Sequence, residues 1–80
     1  MKIYHLSQNQ NTGYDTYSDC VVIAESIEDA KTIDPSGNVF KPNGLWSEWA
    51  DTLDGINAEE IGDANIGQLR GVICASYHAG

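Results

Sequence analysis

Hydrophobic residues in this chain gather in short runs separated by polar turns, a pattern typical of β-strands. The clearest runs are Cys-Val-Val-Ile-Ala at residues 20–24 and Gly-Val-Ile-Cys-Ala-Ser-Tyr at residues 71–77. Runs rich in β-branched and aromatic residues pack well on a pleated sheet. Weaker alternation over residues 1–7 and 56–64 predicts two further strands, which makes four in all.

A change of period after residue 24 predicts a helix. Ser26 is a suitable N-cap, and Asp29 three residues later completes a weak capping box. Ile27, Ala30 and Ile33 are spaced to share the buried side of this helix. The Asp-Pro-Ser-Gly-Asn segment that follows ends the helix, because proline disfavours helical backbone in the residue before it.

The predicted order is strand, loop, strand, helix, irregular segment, strand and strand. A helix laid across a four-stranded, mainly antiparallel sheet buries both kinds of apolar face at once. The sequence therefore predicts a single α+β domain over residues 1–80. It also predicts a turn over residues 65–69 and a short second helix over residues 47–53.

Charge restricts the partners that this chain can bind. Twelve acidic and four basic residues give a net charge of −8. Four cations are too few for the basic patch that DNA or RNA binding requires, and the same holds for an anionic membrane surface. An acidic protein can instead dock on a basic protein surface, including one that normally holds nucleic acid. The alternative is that the charge serves only solubility.

The cysteines and the N-terminal residues indicate a cytoplasmic protein. Cys20 and Cys74 show no metal-binding spacing, and both fall in apolar runs where we expect buried, reduced thiols. A disulfide between adjacent strands is the less favoured alternative. Neither a signal peptide nor a membrane span is predicted.

The first candidate site is a run of acids. No Lys or Arg occurs between residues 42 and 68, and acids on a common face would attract a basic partner and speed encounter. The alternative is a solvated edge whose charges deter aggregation. The candidate residues are Glu48, Asp51, Asp54, Glu59, Glu60 and Asp63.

The second candidate site centres on the polar loop of residues 9–19. Its aromatic rings, with two tryptophans further along, offer flat faces for a nucleobase, and its polar side chains suit sugar hydroxyls. The alternatives are that the tryptophans cover the core and that the loop is only a structured turn. The candidate residues are Asn9, Asn11, Tyr14, Asp15, Tyr17, Trp46 and Trp49.

Catalysis is not expected, and neither a metal nor a cofactor is predicted. A cysteine nucleophile would need His5 or His78 beside it, but a thiol inside an apolar strand has a raised pKa and little access. Asp15 and Asp19 would suit acid–base work only if a cleft held them together. The chain also lacks a glycine-rich loop that could cradle phosphate.

Four segments carry a resemblance that covers nearly the whole chain. They are Leu-Ser-Gln-Asn at residues 6–9, Gly-Tyr-Asp-Thr-Tyr at 13–17, Val-Val-Ile-Ala-Glu at 21–25 and Gly-Val-Ile-Cys-Ala-Ser-Tyr-His-Ala-Gly at 71–80. In these segments the chain resembles a group of small phage and prophage proteins of unassigned function. The resemblance implies a phage setting, in which short acidic proteins often bind host machinery stoichiometrically as a counter-defence.

Three functions remain open on these grounds. The leading hypothesis is a non-enzymatic phage accessory protein that inhibits a host immune component by binding it through the acidic residues. The alternative is a sponge that sequesters a nucleotide-derived signal in the 9–19 loop, for which a homo-oligomer is expected because 80 residues offer little concave surface. The third is an interaction protein of the virion or of replication.

Overall fold

The computed structural model describes residues 1–10, 16–36, 49–50 and 52–78. Four strands form one antiparallel sheet, in the order β3-β1-β2-β4. The strands are β1 (Lys2–Ser7), β2 (Thr16–Ala24), β3 (Asn57–Asp63) and β4 (Gly71–His78). A short helix, α1 (Ile27–Lys31), lies between β2 and β3 in sequence and contacts β1, β2 and β3. The predicted α+β fold is confirmed.

One face of the two central strands builds the core. Tyr4 and Leu6 of β1 are buried, and Leu6 pairs with the buried Cys20 of β2. Val22 continues the same face of β2, since successive side chains of a strand alternate between faces. Tyr4 is amphipathic, and in this fold it belongs to the core.

Strand β2 begins at Thr16, four residues before the predicted start at Cys20. Tyr17 pairs with Tyr77 of β4, and the register shifts at Ser18. The prediction that residues 16–19 belong to a loop was therefore wrong. Threonine and tyrosine have high β-propensity, but Ser18 and Asp19 are polar, so residues 16–19 show no apolar alternation. Their strand conformation depends on pairing with β4.

Local signals at the start of α1 act as predicted. The Ser26 hydroxyl accepts a hydrogen bond from the Asp29 N–H at 3.1 Å, and the Asp29 carboxylate accepts one from the Glu25 N–H at 3.0 Å. Ala30 is buried, as expected. Ile27 is not, being 42% exposed, because a helix of five residues is too short to bury its first turn against the sheet.

The helix is tied to the residues before β4 by an ion pair. The Arg70 guanidinium donates to both carboxylate oxygens of Asp29, with distances of 2.8 to 3.1 Å, and also to the Thr32 hydroxyl at 3.0 Å. Hydrogen bonds from Arg70 and then from the Glu25 N–H lower the pKa of Asp29. The pair thus links two segments that are 41 residues apart in sequence.

Replacing Asp29 with Asn is expected to lower the free energy of unfolding by about 0.5–1 kcal/mol at pH 7 and low salt. The amide oxygen can still accept from the Glu25 N–H, but the amide nitrogen then faces Arg70, so the substitution removes the charge and the bonds that Arg70 makes to Oδ1. Because the folded pKa of Asp29 lies below its usual 3.8, the stabilisation is complete above about pH 5 and is lost as pH falls through 3.8 and then through the folded pKa. Urea denaturation at pH 7 and pH 3 measures this, and an equal effect at both would contradict it.

A single 3₁₀ turn, Leu53–Gly55, precedes β3 and is capped by the Thr52 hydroxyl. The helix predicted over residues 47–53 falls partly outside the described residues, and at its end the structure has this 3₁₀ turn. The predicted turn over residues 65–69 is present, with the Gln68 N–H donating to the Asn65 carbonyl. That connection joins β3 and β4, which lie at opposite edges of the sheet.

Candidate functional site

Exposed carboxylates follow the sheet edge that β3 forms. We call the described members of this set the acidic edge: Asp54, Glu59, Glu60 and Asp63, all of them exposed. Asp54 lies in the 3₁₀ turn, and the other three belong to β3. Glu48 and Asp51, also predicted for this site, lie outside the described residues.

The acids occupy an edge and not one face. Glu59 pairs with His5 and Glu60 with Tyr4, so the two carboxylates project to opposite sides of the sheet. Because β3 is the outermost strand, both side chains are still open to a partner that approaches along the edge. Negative charge on both sides of one strand is complementary to a basic groove whose two walls contact the two sides of that strand.

Lys2 neutralises one end of the acidic edge. Its ammonium forms an ion pair with the Asp63 carboxylate. The hydrogen bond from Lys2 and its charge lower the pKa of Asp63, and the same pair, with a contribution from Glu60, raises the pKa of Lys2. Lys2 thus reduces the negative field at Asp63 and, more weakly, at Glu60.

Three of the residues predicted to bind a small ligand, Asn9, Tyr17 and Trp49, lie in the part of the chain that the structure describes. Trp49 is 1% exposed and belongs to the core, which is the alternative given for it above. Tyr17 lies in β2, half-buried, with its ring tilted against Tyr77 at a centroid distance of 4.8 Å. Asn9 is exposed. The remaining candidates, Asn11, Tyr14, Asp15 and Trp46, lie outside the described residues.

Two glutamines that sequence reasoning missed order the base of this loop. Gln8 is 6% exposed; its amide donates to the Tyr17 carbonyl at 2.7 Å and its carbonyl accepts from the Gln10 N–H at 2.8 Å. Gln10 in turn accepts from the Thr52 N–H at 3.3 Å. A Cβ at Gly55 would lie 2.2 Å from the Gln10 amide group, so glycine allows this close approach. A glutamine at this position has no recognisable sequence pattern, and its hydrogen bonds become evident only in the folded structure.

Replacing Gln8 with Ala is expected to lower the free energy of unfolding by about 1–3 kcal/mol, because it removes a buried amide and leaves the Tyr17 carbonyl without that donor and the Gln10 N–H without that acceptor. Gln68→Ala is the matched control, since Gln68 is exposed and accepts a bond from the neighbouring Asn65 N–H; its loss should stay below about 0.5 kcal/mol. Urea denaturation of both variants provides the comparison. Equal losses would show that Gln8 does not hold the loop.

The two thiols have different environments. Cys20 is buried as predicted, and burial, with a smaller contribution from Asp19, raises its pKa to about 12. Cys74 is exposed, so the prediction that both are buried was wrong for it. Cys74 pairs with Val21, which pairs with His5, so its side chain lies on the face of the sheet opposite the buried Leu6 and Cys20. Both cysteines are free, and the less favoured disulfide is absent.

Two of the groups considered for catalysis, His5 and Cys74, lie on strands that β2 separates. His5 Nε2 lies 3.0 Å from Asp19 Oδ2, whereas Val21 pairs with both His5 and Cys74 and so stands between them in the sheet. Two strand spacings place the backbones of His5 and Cys74 about 10 Å apart. An imidazole at that separation is poorly placed to activate the thiol.

A shallow depression of about 330 Å³ lies over the β2–β4 pair. Its volume is at the lower end of those that hold small ligands. The residues that line it, among them Asp19, Cys74 and Ser76, include none of the residues predicted to bind a nucleotide. Within the described residues there is neither a cluster of His, Cys, Asp and Glu that could hold a metal ion nor a helix long and apolar enough to cross a membrane.

No family model matches this chain, and neither a curated protein nor a solved structure is significantly similar to it. Function must therefore follow from the residues themselves, and the acidic edge is the feature with the most definite chemistry.

Proposed function

We propose that this chain is a non-enzymatic phage or prophage accessory protein that inhibits a host immune component by binding it stoichiometrically through the acidic edge. The observation that carries the proposal is the pair Glu59 and Glu60, exposed at the middle of an edge strand in a chain of net charge −8. The partner surface is basic.

The geometry gives this binding a physical basis. Carboxylates on both sides of one edge present negative charge to each wall of a basic groove, and such complementarity raises the association rate and disfavours acidic competitors. A groove that holds nucleic acid has this character, because it must neutralise phosphates with Lys and Arg. Binding is therefore expected to weaken as salt rises.

The phage setting is supported by the sequence resemblance given above. A counter-defence protein that works by occupation must be made quickly and in amounts that match its target.

A sponge for a nucleotide-derived signal is the second candidate, and one observation favours it. The buried Gln8 and the Gln10–Thr52 bond fix the chain just before residues 11–15, and the Tyr17–Tyr77 ring pair lies just after them. Tyr14→Ala separates the two candidates. It should remove activity from a sponge and leave an acidic-edge inhibitor unchanged, and thermal stabilisation by candidate nucleotides would support the sponge.

The proposal is tested by plating phage on a panel of host strains, each carrying one immune system that blocks that phage. Expression of the chain should restore plaques on at least one strain, with an empty vector and an unfolded variant as controls. Failure to restore plaques on any strain, with the folded chain present at high level, would remove the counter-defence function.

A further inference from the structure

The turn that joins β3 to β4, residues 64–70, exposes two large apolar side chains, and we call it the apolar turn. Ile66 is 107% exposed and Leu69 is 85% exposed, the highest values among the large hydrophobic residues that the structure describes. Ile61 of β3 follows at 54%. Single exposed apolar residues are ordinary on a protein surface, but several within one short stretch of chain mark a candidate interaction surface.

Hydrogen bonds fix the backbone of the apolar turn. The Gln68 N–H donates to the Asn65 carbonyl at 3.2 Å, and the Asn65 N–H donates to the Gln68 side-chain oxygen at 2.8 Å. Gly67 has a φ of 92°, a left-handed conformation that glycine adopts without steric strain. Ile66 lies inside this closed segment and Leu69 directly follows it. Both side chains are therefore presented on an ordered backbone, so a partner that covers them orders little further chain.

Ion pairs lie at both ends of the apolar turn. Asp63, just before it, pairs with Lys2, and Arg70, its last residue, pairs with Asp29. Residues 64–69 between these pairs carry no charge. A partner can therefore cover the two apolar side chains without removing an unpaired charge from water.

Charge decides which partner fits the apolar turn. The further carboxylates that act on the two ion pairs are Glu60, on Lys2, and Glu25, on Arg70. This negative surround repels nucleic acid and an anionic membrane. A second copy would bring the same carboxylates and a net charge of −8. The turn alone is also much smaller than the roughly 800 Å² per partner of a stable interface. It therefore fits as one part of a larger surface that meets a basic protein.

The acidic edge supplies the rest of that surface. It ends at Asp63, where the apolar turn begins, and Ile61 lies within it between Glu60 and Asp63. Carboxylates and exposed apolar side chains thus follow one another along a continuous stretch of chain. Protein interfaces combine charged groups, which guide association, with an apolar centre that excludes water and slows dissociation.

We propose that Ile66 and Leu69 insert into an apolar pocket beside the basic surface that receives the acidic edge. The insertion rests on the proposed inhibition and adds a second contact with the same partner. Glu59 and Glu60 speed association, and the apolar turn slows dissociation. Because salt screens charges and not apolar contacts, the contribution of the turn persists at high salt while that of the carboxylates declines.

The test uses clarified host lysate as the probe, titrated with increasing amounts of the immobilised chain. Quantitative mass spectrometry follows the protein that the unmodified chain depletes and that the variant with Glu59 and Glu60 replaced by Lys does not. Ile66→Ser and Leu69→Ser should each weaken its apparent affinity at least about tenfold, because each removes an aliphatic side chain that the complex buries. These losses should be equal at low and at high salt. Ile73→Ser is the control, since Ile73 is half-exposed on β4 at the far edge of the sheet, and it should leave the affinity unchanged.

The outcomes separate this proposal from the proposed inhibition. If both serine variants at the turn bind the depleted protein as tightly as the unmodified chain, the pocket is overturned and the inhibition stands. A loss no greater than that of Ile73→Ser also overturns the pocket. If no host protein is depleted, the inhibition is removed and the pocket with it. Sedimentation equilibrium of the free chain covers the other occupant, because a dimer that Ile66→Ser dissociates would assign the apolar turn to a second copy and overturn the proposal.

Discussion

Replacing both Glu59 and Glu60 with Lys is expected to abolish inhibition while leaving the fold intact. Both side chains are exposed on β3, so the substitutions remove no core contact. Each adds two units of charge, which changes the net charge from −8 to −4. Breaking close charge pairs at an interface costs about 2–5 kcal/mol, and affinity should therefore fall by at least about thirtyfold.

The matched control replaces Glu25 and Glu28 with Lys. Both residues are exposed; Glu25 precedes α1 and Glu28 lies in it. The control therefore has the same net charge of −4. Far-ultraviolet circular dichroism verifies the fold of both double variants, and plating on the responsive host strain measures inhibition. The control should restore plaques as the unmodified chain does. Equal loss in both variants would show that overall charge matters and not the acidic edge. Full activity of the Glu59 and Glu60 variant would remove the edge from the account.

Trp49→Ala is expected to lower the free energy of unfolding by about 3–5 kcal/mol, the largest stability loss that we expect from one substitution. Trp49 is 1% exposed and packs with Leu6, Val22 and Ile56 in the core. A domain of this size has a total stability of only about 4–12 kcal/mol. The variant should therefore be partly unfolded at 37 °C or close to it.

Thermal unfolding followed by circular dichroism measures this loss. Trp49→Phe is the control, because it keeps an apolar ring in the core and should cost less than Ala does. The pair also tests the ligand-binding role predicted for Trp49. If Trp49→Ala leaves the melting temperature unchanged but removes activity, the indole belongs to a site and not to the core.

Local signals were sufficient to predict most elements of the fold. The alternation of apolar residues identified all four strands, and Ser26 with Asp29 identified the start of the helix through hydrogen bonds that the structure contains. These features depend on neighbours within a few residues, which a sequence displays directly. The α+β class follows from them, since a short helix and an antiparallel sheet can bury their apolar faces only against each other.

Long-range pairing determines what sequence could not predict. Thr16 and Tyr17 are strand residues because β4 lies beside them, and Cys74 is exposed because its pairing with Val21 places it on the face opposite the core. Both facts depend on the strand order, which no local pattern encodes. Ile27 had the right spacing for burial, but the helix is too short to cover it.

The candidate sites show the same difference between local and long-range features. The acidic edge was identifiable because its residues are close in sequence, although its division between two sides of a strand required the register with β1. The buried Gln8 and its bond to Tyr17 were not identifiable, because the amide becomes important only when β2 begins at Thr16.

The most direct test of the acidic edge as a docking surface is native mass spectrometry of the chain purified from host lysate at low salt. We expect a stoichiometric complex with one basic host protein. This complex should dissociate as salt rises, because its charges are screened. It should also be absent when Glu59 and Glu60 are replaced with Lys. A chain that carries only a small-molecule mass, or a complex that survives the double substitution, would contradict the account.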